Sequence, residues 1–573
     1  MNPHAQPHQH HVAPPSQQRP LDLGIIRRLF GYTRTYARLR NTLVVLVVAR
    51  AIQLPLMTWA MARVSSGPVA HHDVSGTVSG TIGFLALAAF TELCFVYRSR
   101  LALRLGEAVV HDLRNEVYAH LLRLPMSFFA RTPLGRLVAR ITSDIDVVRV
   151  GVQDVAFVST VQGGHALISA ALMIYYDWRL FLVVLIMVPG VWALIHRLRG
   201  RLSHAYQNQQ ESFARVTATL AESVSGIREI QGFARQQASA ADFAALIRDH
   251  ARYNMGAARH GAAIQPLLEW NGQLFLSLVL VIGGYQALSG SVTLAALIAF
   301  LFLAGGLFAA IPNLGNQYNQ ALTAMAGAER VFALLDTKPE WQDAPDATPI
   351  ARIAGRIELR DVDFAYEPGR PVLRRLSLAI EPGQQVALVG ATGSGKSTLA
   401  WLVAKLHLAT AGVVLIDGRD VRGITGPSLR KQLACVTQEN FLFAGTVLDN
   451  LRVGRPGASE DEVRAAARAL DVLDVLETLP AGLATDVGEG GARLSLGQRQ
   501  VVCFARAMLA DPRILILDEA TSSIDVVTEM RIQAALRRLL VGRTSLVIAH
   551  RASTIRHADK IVTLDHGRIV DRG

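Results

Sequence analysis

Long apolar segments crowd the first 315 residues of the chain and then stop. Val155–Tyr176 and Leu180–Ile195 contain no Asp, Glu, Lys or Arg, and Trp270–Ala328 is free of all four for 59 residues. A membrane-spanning helix needs about 20 mostly apolar residues. The pattern therefore predicts six spans, at approximately 42–62, 76–97, 153–176, 179–196, 264–288 and 291–312.

The charges between these segments predict their orientation. Residues 98–149 carry nine Arg and residues 197–259 carry nine more, whereas the short loops on the opposite face hold only Arg63 and Arg179. Cytoplasmic loops of membrane proteins are enriched in basic residues. Both long loops are therefore predicted to be cytoplasmic, and six spans place both chain ends on that side as well.

The remaining segments differ in composition from the spans. Residues 1–20 are polar and Pro-rich with four His, which predicts a disordered tail or, less simply, a weak metal site. Residues 336–352 hold three Pro and are predicted to be a linker. Short β-rich runs alternate with helical runs beyond it, as in an α/β domain. The predicted organisation is a tail, a six-helix membrane domain over 21–335, the linker, and an α/β domain over 353–573.

The overall composition excludes several classes of protein. The chain has 573 residues, of which 51% are hydrophobic and 18% charged, so neither a disordered chain nor an ordinary soluble enzyme fits. Its three cysteines (Cys94, Cys435 and Cys503) are too scattered for a disulfide framework or a zinc site. The formal charge is +12, but only five of the 58 basic residues are Lys, which does not indicate a nucleic-acid-binding patch.

A glycine-rich segment follows the short apolar run Gln385–Val389, which is predicted to be a strand. It matches G-x-x-x-x-G-K-[ST], the P-loop, in which backbone N–H groups surround a phosphate at the start of a helix. Lys396 is expected to reach the β- and γ-phosphates, and Ser397 to bind Mg²⁺. The predicted phosphate-binding residues are Gly390, Thr392, Gly393, Ser394, Gly395, Lys396, Ser397 and Thr398.

About 120 residues later, a second apolar run, Ile514–Leu517, ends in Asp518 and Glu519. A buried strand with this ending places its first carboxylate beside a P-loop, where it can hold Mg²⁺. Asp518 is therefore predicted to be a metal ligand. Glu519 is predicted to be the general base that polarises the attacking water.

Further motifs narrow the class of P-loop domain. They are Tyr366 in VDFAY, Gln438 in VTQENFLFAGT, the stretch LSLGQRQ at 494–500, SSID at 522–525, and His550-Arg551. In this order and spacing, residues 355–573 resemble the nucleotide-binding domain of ABC transporters. SFFARTPLGRLVARITSDIDVV at 127–148 resembles the first intracellular loop of the exporter-type (type IV) fold, and two later segments, 221–236 and 326–336, resemble its other cytoplasmic parts. The resemblance implies an α-helical membrane domain with six transmembrane helices, fused to an α/β P-loop NTPase domain.

The resemblance also implies roles within one nucleotide site. Tyr366 would stack on adenine. Gln438 would bind Mg²⁺, sense the γ-phosphate and contact the membrane domain. His550 would hold the γ-phosphate against the water that Glu519 polarises, so that the implied cofactors are ATP and Mg²⁺.

Other residues are implied to act across a dimer. Ser495, Gly497 and Gln498 would contact the ATP bound to a second copy of the domain, and Asp525 would couple the two sites. Such a sandwich requires a second half-transporter, either an identical chain or a different partner chain. The assembled transporter would have twelve spans.

The implied function is ATP-driven export by alternating access in a bacterial inner (plasma) membrane, with the ATPase domain in the cytoplasm. Closure around ATP would move short coupling helices near 127–136 and 212–222. Two alternatives keep this fold, an importer of the kind that takes up siderophores and an ATP-gated channel or regulator. A soluble ABC ATPase is excluded by the six apolar runs.

One position departs from the family pattern. The usual sequence at 494–498 is Leu-Ser-Gly-Gly-Gln, whereas this chain has Leu496 in place of the first Gly. The change is either neutral or a sign of a heterodimer. In the second case this chain, with Glu519 and His550 intact, would supply the hydrolytic half of the active site.

Three of the ionisable residues within the predicted spans are candidates for a substrate cavity. At about 1.5 Å per helical residue, Arg50, Glu92 and Glu269 lie roughly 20–28 Å from the outer ends of their spans. They could share one level and bind a polar substrate, since charges inside a membrane are costly and usually functional. Alternatively these helices extend beyond the bilayer and the charges are hydrated. The sequence does not distinguish a drug, lipid, peptide or siderophore as the substrate.

Overall fold

The computed structural model describes residues 22–339, 341–367, 369–518, 526–549 and 555–572. The predicted N-terminal tail, residues 1–20, lies outside them. The chain forms two compact units. The first contains the residues up to 119 together with 138–336, and the second contains 120–137 together with 337–573.

The first half of the chain is helical. Its helices are α1 (Leu23–Tyr32), α2 (Ala37–Val64), α3 (Val74–Leu121), α4 (Met126–Arg131), α5 (Leu134–Ala139), α6 (Ile145–Val150), α7 (Ala156–Tyr176), α8 (Trp178–Ser225), α9 (Ile227–Gly232), α10 (Gln236–Leu288) and α11 (Leu294–Leu335). Short π-helical segments at 65–69, 140–144 and 151–155 extend or join them. The long helices α3, α8, α10 and α11 continue far past the predicted spans, as expected for cytoplasmic extensions.

Four helical segments of the described chain are long and apolar enough to cross a membrane. They are Ala37–Val69, Val74–Leu121, Leu134–Tyr176 and Ala296–Leu335. Gly272–Leu288 is a shorter apolar helix. The predicted span at 179–196 lies within α8, and the predicted span at 264–288 lies within α10. The predicted segments are therefore helical, while the count of six spans stays a prediction.

Side-chain caps and small residues shape this helical unit. Asp177 begins α8 by accepting hydrogen bonds from the backbone N–H of Arg179 and Leu180, at 2.7 and 3.0 Å. Gly164 of α7 lies so close to α2 that an added Cβ would be 2.8 Å from the Cβ of Ala51. Close approach at small residues is the usual way that membrane helices pack, because lipid gives no hydrophobic drive for helices to associate.

The structure corrects the expected position of the second coupling helix. Residues 212–222 lie inside α8, because no Pro or Gly interrupts the chain between Gly200 and Gly226. The helix ends at Gly226, and the short helix is α9. In the first long loop, α4 and α5 occupy the region predicted at 127–136, separated by a turn before Pro133.

Two sheets form the centre of the second unit. Its strands are β1 (Ile357–Glu367), β2 (Arg370–Ile380), β3 (Gln385–Val389), β4 (Ala411–Ile416), β5 (Arg419–Asp420), β6 (Leu433–Val436), β7 (Ile514–Asp518), β8 (Thr544–Ile548), β9 (Lys560–Asp565) and β10 (Arg568–Arg572). The antiparallel sheet has the order β2-β1-β4-β5, and the six-stranded sheet has the order β10-β9-β3-β8-β7-β6. In the larger sheet all neighbouring pairs are parallel except β9 and β10.

Helices cover these sheets. They are α12 (Lys396–Val403), α13 (Gly426–Arg430), α14 (Val447–Arg452), α15 (Glu460–Ala469), α16 (Leu473–Glu477), α17 (Leu496–Leu509) and α18 (Val526–Leu540). One core lies between the two sheets and α12. Helices α14 through α18 form a second core together with strands β7 and β8.

A buried ion pair fixes the predicted linker to the second unit. The Nζ atom of Lys405, whose side chain is 1% exposed, lies 2.7 Å from a carboxylate oxygen of Asp343. The other oxygen of Asp343 accepts a 2.8 Å hydrogen bond from the backbone N–H of Gly426. Burial raises the pKa of Asp343, but these two partners outweigh it and leave that pKa below the ordinary value of 3.8. The ion pair is therefore intact at neutral pH and is lost only as the pH falls through that lowered pKa.

Asp343→Ala should destabilise the second unit, because it leaves the buried Lys405 ammonium without its carboxylate. Loss of one partner of a buried pair costs several kcal/mol, and the partial exposure of Asp343 reduces this to about 2–3 kcal/mol. Thermal unfolding of the full chain in detergent should show a decrease of roughly 5–10 °C. The control is Asp346→Ala, an exposed carboxylate of the same segment, which should leave the midpoint unchanged. Equal midpoints for the two variants would contradict the prediction.

Candidate functional site

The phosphate loop follows β3 directly, as the sequence predicts. Two of its glycines adopt backbone conformations that other residues rarely reach. Gly390 has φ 148°, and a Cβ there would lie 2.2 Å from the carbonyl oxygen of Leu564. Gly395 has φ 104°, and a Cβ there would lie 2.6 Å from the side chain of Leu373. The loop can keep this shape only with glycine at both positions.

Lys396 begins α12 and folds its side chain back over this loop. Its Nζ donates hydrogen bonds to the carbonyl oxygens of Gly390 and Ala391, at 2.8 and 2.9 Å. Burial lowers the pKa of Lys396, and the charge of Asp518 partly opposes that decrease. The ammonium group is thus held at the mouth of the loop.

Ser397 and Asp518 meet where α12 begins and β7 ends. The hydroxyl of Ser397 donates a 3.4 Å hydrogen bond to a carboxylate oxygen of Asp518. The parallel register explains this, because Asp518 pairs with Ile548 of β8, and Ile548 pairs with Leu388 of β3. The two oxygen donors fit Mg²⁺, which prefers hard oxygen ligands.

Tyr366 stands near the end of β1 with its ring half-buried. Its hydroxyl and that of Thr398 are joined by a 3.0 Å hydrogen bond, and its ring packs edge-on against Phe364 and His407. Burial raises the pKa of Tyr366, so the phenol is protonated at neutral pH. Arg131 of α4 donates to the backbone carbonyl of Tyr366. The helix predicted to couple the domains therefore contacts the residue predicted to bind adenine.

These groups line one open cleft of about 630 Å³. The exposed side chain of Gln438 lies on its wall with Asp518. The lining residues are Tyr366, Val372, Thr392, Gly393, Gly395, Lys396, Ser397, Thr398, Gln438, Asp518 and Ile548. The structure thus brings together the adenine, phosphate and metal positions that the sequence predicts.

The segment at 494–498 lies elsewhere, and among the described residues it contributes nothing to the walls of this cleft. Ser495 caps α17, where its hydroxyl accepts from the backbone N–H of Gln498 at 3.2 Å. The side chain of Gln498 accepts in return from the N–H of Ser495 at 2.9 Å. Leu496 is the first residue of the helix and takes no part in this capping box, and Gly497 is buried behind it. The cap therefore needs residues 495 and 498 but places no demand on residue 496.

Three predicted site residues, Glu519, Asp525 and His550, lie outside the described residues. Their sequence neighbours are informative nonetheless. Glu519 directly follows Asp518, and His550 comes two residues after Ile548, and both of these neighbours line the cleft.

The structure describes the side chains of two of the three candidate cavity residues. Arg50 of α2 donates a 3.1 Å hydrogen bond to the carbonyl oxygen of Thr91 of α3, so these two positions are level. Glu92 is exposed next to Thr91, while the side chain of Glu269 lies outside the described part of the structure. The sequence analysis missed Arg98, which is buried on α3 close to Arg50. The available signal was its position immediately after a predicted span.

Both halves of the chain match known family models. Residues 41–311 match the ABC transporter transmembrane region, and residues 373–522 match the ABC transporter model. Over 96% of its length the chain is 34% identical to YfiC of Bacillus subtilis, an uncharacterized ABC transporter ATP-binding protein of which it covers 91%. The chain belongs to the ABC transporter family.

Other relatives give this ABC transporter an exporter context. It is 38% identical to the ATP-dependent lipid A-core flippase of Syntrophus aciditrophicus, over 84% of this chain and 80% of that protein. It is 37% identical to the fatty acid ABC transporter ATP-binding/permease protein of Mycobacterium tuberculosis, over 85% and 77%. A solved structure of a bacterial Atm1-family ABC exporter with ATP bound matches with a TM-score of 0.76 and 26% identity, over 94% of this chain and 95% of that one.

These matches confirm the resemblance, the fold class and the expected type of activity. This ABC transporter is an integral membrane protein of the exporter type, with the membrane and nucleotide-binding parts fused in one chain. It binds ATP and couples ATP hydrolysis to transport. Chains with this half-transporter fold generally form dimers.

Tyr366→Ala should raise the KM for ATP about tenfold, since base stacking on an aromatic ring contributes about 1–3 kcal/mol. Tyr366→Phe keeps the ring and removes only the hydrogen bond to Thr398, so its KM should stay within about twofold of wild type. Steady-state ATPase assays of the full chain in nanodiscs would measure both. An equal increase of the KM for ATP in the two variants would contradict this prediction, because it would show that ATP binding depends on the hydroxyl and not on the ring.

Proposed function

We propose that two half-transporters bind each ATP between the cleft of one chain and the segment 494–498 of the other. The observation that supports this is the composition of the cleft. Among the described residues, its walls include side chains predicted to bind adenine, phosphate and metal, but none of the signature residues Ser495, Gly497 and Gln498. A single chain thus presents half of a nucleotide site on each of two surfaces, and a second chain supplies each missing half.

Within each site, the residues of this chain would act in turn. Lys396 and the N–H groups of the loop hold the β- and γ-phosphates, with the start of α12 adding its positive end. Tyr366 holds adenine. Glu519 takes a proton from the attacking water, and His550 holds the γ-phosphate in place for the attack. Asp525 would connect the two sites of the dimer.

Mg²⁺ is the metal that the donors of this cleft favour. Ser397 and Asp518 already lie within hydrogen-bond distance of each other, and Gln438 adds an amide oxygen on the same wall. When bound, Mg²⁺ would neutralise charge on the phosphates. The residues themselves orient the phosphate chain for attack by the water that Glu519 is proposed to polarise.

The proposed assembly is a dimer in the bacterial inner membrane, formed by two copies of this chain or by this chain and a different partner chain. Its nucleotide sites are in the cytoplasm, and linker 336–352 joins membrane domain 21–335 to nucleotide-binding domain 353–573. ATP closes the two nucleotide surfaces, and hydrolysis lets them part, which switches the access of the cavity. Arg131 supports the coupling of α4 to the nucleotide, because it contacts the backbone of Tyr366. A second short helix, α9, exposes Phe233 at its end and is the other coupling element that we propose.

The transported substrate is proposed to be an amphipathic lipid-like molecule. Two of the relatives are a lipid A-core flippase and a fatty acid transporter. Both of those substrates combine long apolar chains with a polar end. A chain that is 38% and 37% identical to these two proteins, over 84% and 85% of its length, is suited to molecules of the same general build.

Glu519→Gln should reduce ATP turnover by about 10²-fold or more, because it removes the general base. ATP binding should persist, since Lys396 and the loop are unchanged. The measurement is ATPase activity of the chain expressed alone in nanodiscs, with equilibrium binding of ATP as the control. Retained hydrolysis would contradict the assignment of Glu519, and a silent wild type that binds ATP would point to a different partner chain.

A complementation experiment tests the shared site. Lys396→Ala removes the side chain that is proposed to bind the phosphates of ATP. Ser495→Arg places a large charged side chain in segment 494–498 and blocks its contact with ATP. A homodimer of either variant should therefore be inactive. Mixed dimers should regain part of the activity, because one of their two sites combines an intact cleft with an intact signature segment. Co-expression with two affinity tags isolates these mixed dimers for ATPase assays.

A matched control uses both substitutions in one chain, co-expressed with wild type. There each site of the mixed dimer carries one damaged half, so both sites should be inactive. Activity of that control, or no recovery in the Lys396→Ala and Ser495→Arg pair, would contradict the shared site.

A further inference from the structure

Two arginines of the membrane unit share one aromatic ring. The guanidinium carbon of Arg50, on α2, lies 4.4 Å from the centroid of the Phe95 ring, and that of Arg98 lies 5.1 Å from the same centroid. The two positive charges can therefore be no further apart than the sum of these distances. Because like charges repel, two arginines are rarely brought together inside a membrane domain without a function.

These cations are held by neutral groups. Arg50 donates to the carbonyl oxygen of Thr91, and Arg98 donates to the hydroxyl of Ser99 at 3.3 Å. Among the described residues, neither guanidinium has a carboxylate within ion-pair distance. The nearest acidic influences are Glu92 on Arg50 and Asp154 on Arg98, and both act only at longer range.

Arg98 is the more informative of the two. It is only 8% exposed, and its Nε is buried with no hydrogen-bond partner in the described structure. An arginine that merely reached toward lipid headgroups would extend its charged end into water or the interface. Arg98 instead keeps a free donor inside the protein, next to a second cation.

We propose that Arg50 and Arg98 form a binding site for the anionic headgroup of the transported amphiphile. A guanidinium binds phosphate or carboxylate through paired N–H donors, and two of them beside each other would neutralise a doubly charged phosphate monoester. The proposal rests on the amphipathic substrate proposed above and assigns its headgroup chemistry.

The depth of the site agrees with this substrate. Arg98 directly follows the predicted inner end of its span at residue 97, and Arg50 lies eight residues from the predicted inner end at 42. At about 1.5 Å per residue, the site extends from the inner headgroup level to roughly 12 Å into the bilayer. A lipid of the inner leaflet carries its phosphate at the level of Arg98, and Arg50 extends the site inward from there. Phe95 offers an apolar contact beside both arginines.

The test is direct binding of radiolabelled oleoyl lysophosphatidate to the purified full-length chain, measured by scintillation proximity. Saturable binding is expected, with a Kd at least tenfold weaker in both Arg50→Gln and Arg98→Gln. Arg98→Lys, which keeps the charge but loses the paired donors, should lie between. The matched control is Arg100→Gln, an exposed arginine two residues further along α3, which should leave the Kd within twofold.

Competitors identify the ligand chemistry. Unlabelled lysophosphatidate should displace the probe, whereas oleoylglycerol, with the same chain and no phosphate, should not. Displacement by oleoylglycerol, or equal displacement by millimolar inorganic phosphate, would overturn an amphiphile headgroup as the ligand. Arg50 is partly exposed, so Arg50→Gln is less prone to misfold than Arg98→Gln. An unchanged Kd in Arg50→Gln would overturn the site. Because binding needs no ATP, failed hydrolysis would count against the proposed function without affecting this test.

Discussion

The parallel pairing of β3, β8 and β7 is the constraint on which the nucleotide cleft depends. Parallel strands end at the same edge of a sheet, so the loop after β3 and the carboxylate that ends β7 arrive side by side. Ser397 and Asp518 come from positions 121 residues apart, yet their oxygens lie 3.4 Å from each other. A shift of one residue in either pairing would turn the side chain at the strand end to the opposite face. The four hydrophobic residues of β7 are all buried, and only Asp518 at its end is partly exposed. A shift that carried Asp518 into the sheet would bury its carboxylate, and the cost of burying a charge opposes that shift.

The cations at the two proposed sites are partnered differently from each other. In the second unit, the buried Lys405 has a carboxylate partner and Lys396 is bonded to two carbonyl oxygens, so their cost of burial is offset within the chain. Among the described residues of the membrane unit, Arg50 and Arg98 have only neutral hydrogen-bond partners. A buried cation whose charge is compensated by groups of the same chain stabilises the fold. A cation without such compensation favours a ligand of opposite charge. The linker is accordingly held by an ion pair within the chain, whereas the anion at the proposed headgroup site would come from the ligand.

Local patterns predicted the parts of this structure that depend on local chemistry. The strands before Gly390 and up to Asp518 follow from short apolar runs with characteristic ends, and both are confirmed. The prediction of a second coupling helix at 212–222 is wrong because α8 continues to Ser225 and ends at Gly226, a boundary that resemblance alone did not locate. Arg98 was missed for a related reason, since its role depends on Phe95 and on a neighbouring helix. Contacts between helices leave no periodic trace in one sequence, and the Lys405–Asp343 pair, 62 residues apart, was invisible on the same grounds.

The capping box at the start of α17 has a consequence for timing. The side chains of Ser495 and Gln498 accept hydrogen bonds from each other's backbone N–H groups, so the geometry of this helix start is fixed by contacts within one chain. Residues 495–498 are therefore already ordered when a second chain approaches, and the entropy of ordering these four residues is not lost at that moment. The slow event in closing a nucleotide site is then the movement of whole domains, which takes microseconds to milliseconds. Local rearrangement of the signature segment would add nothing measurable to that interval.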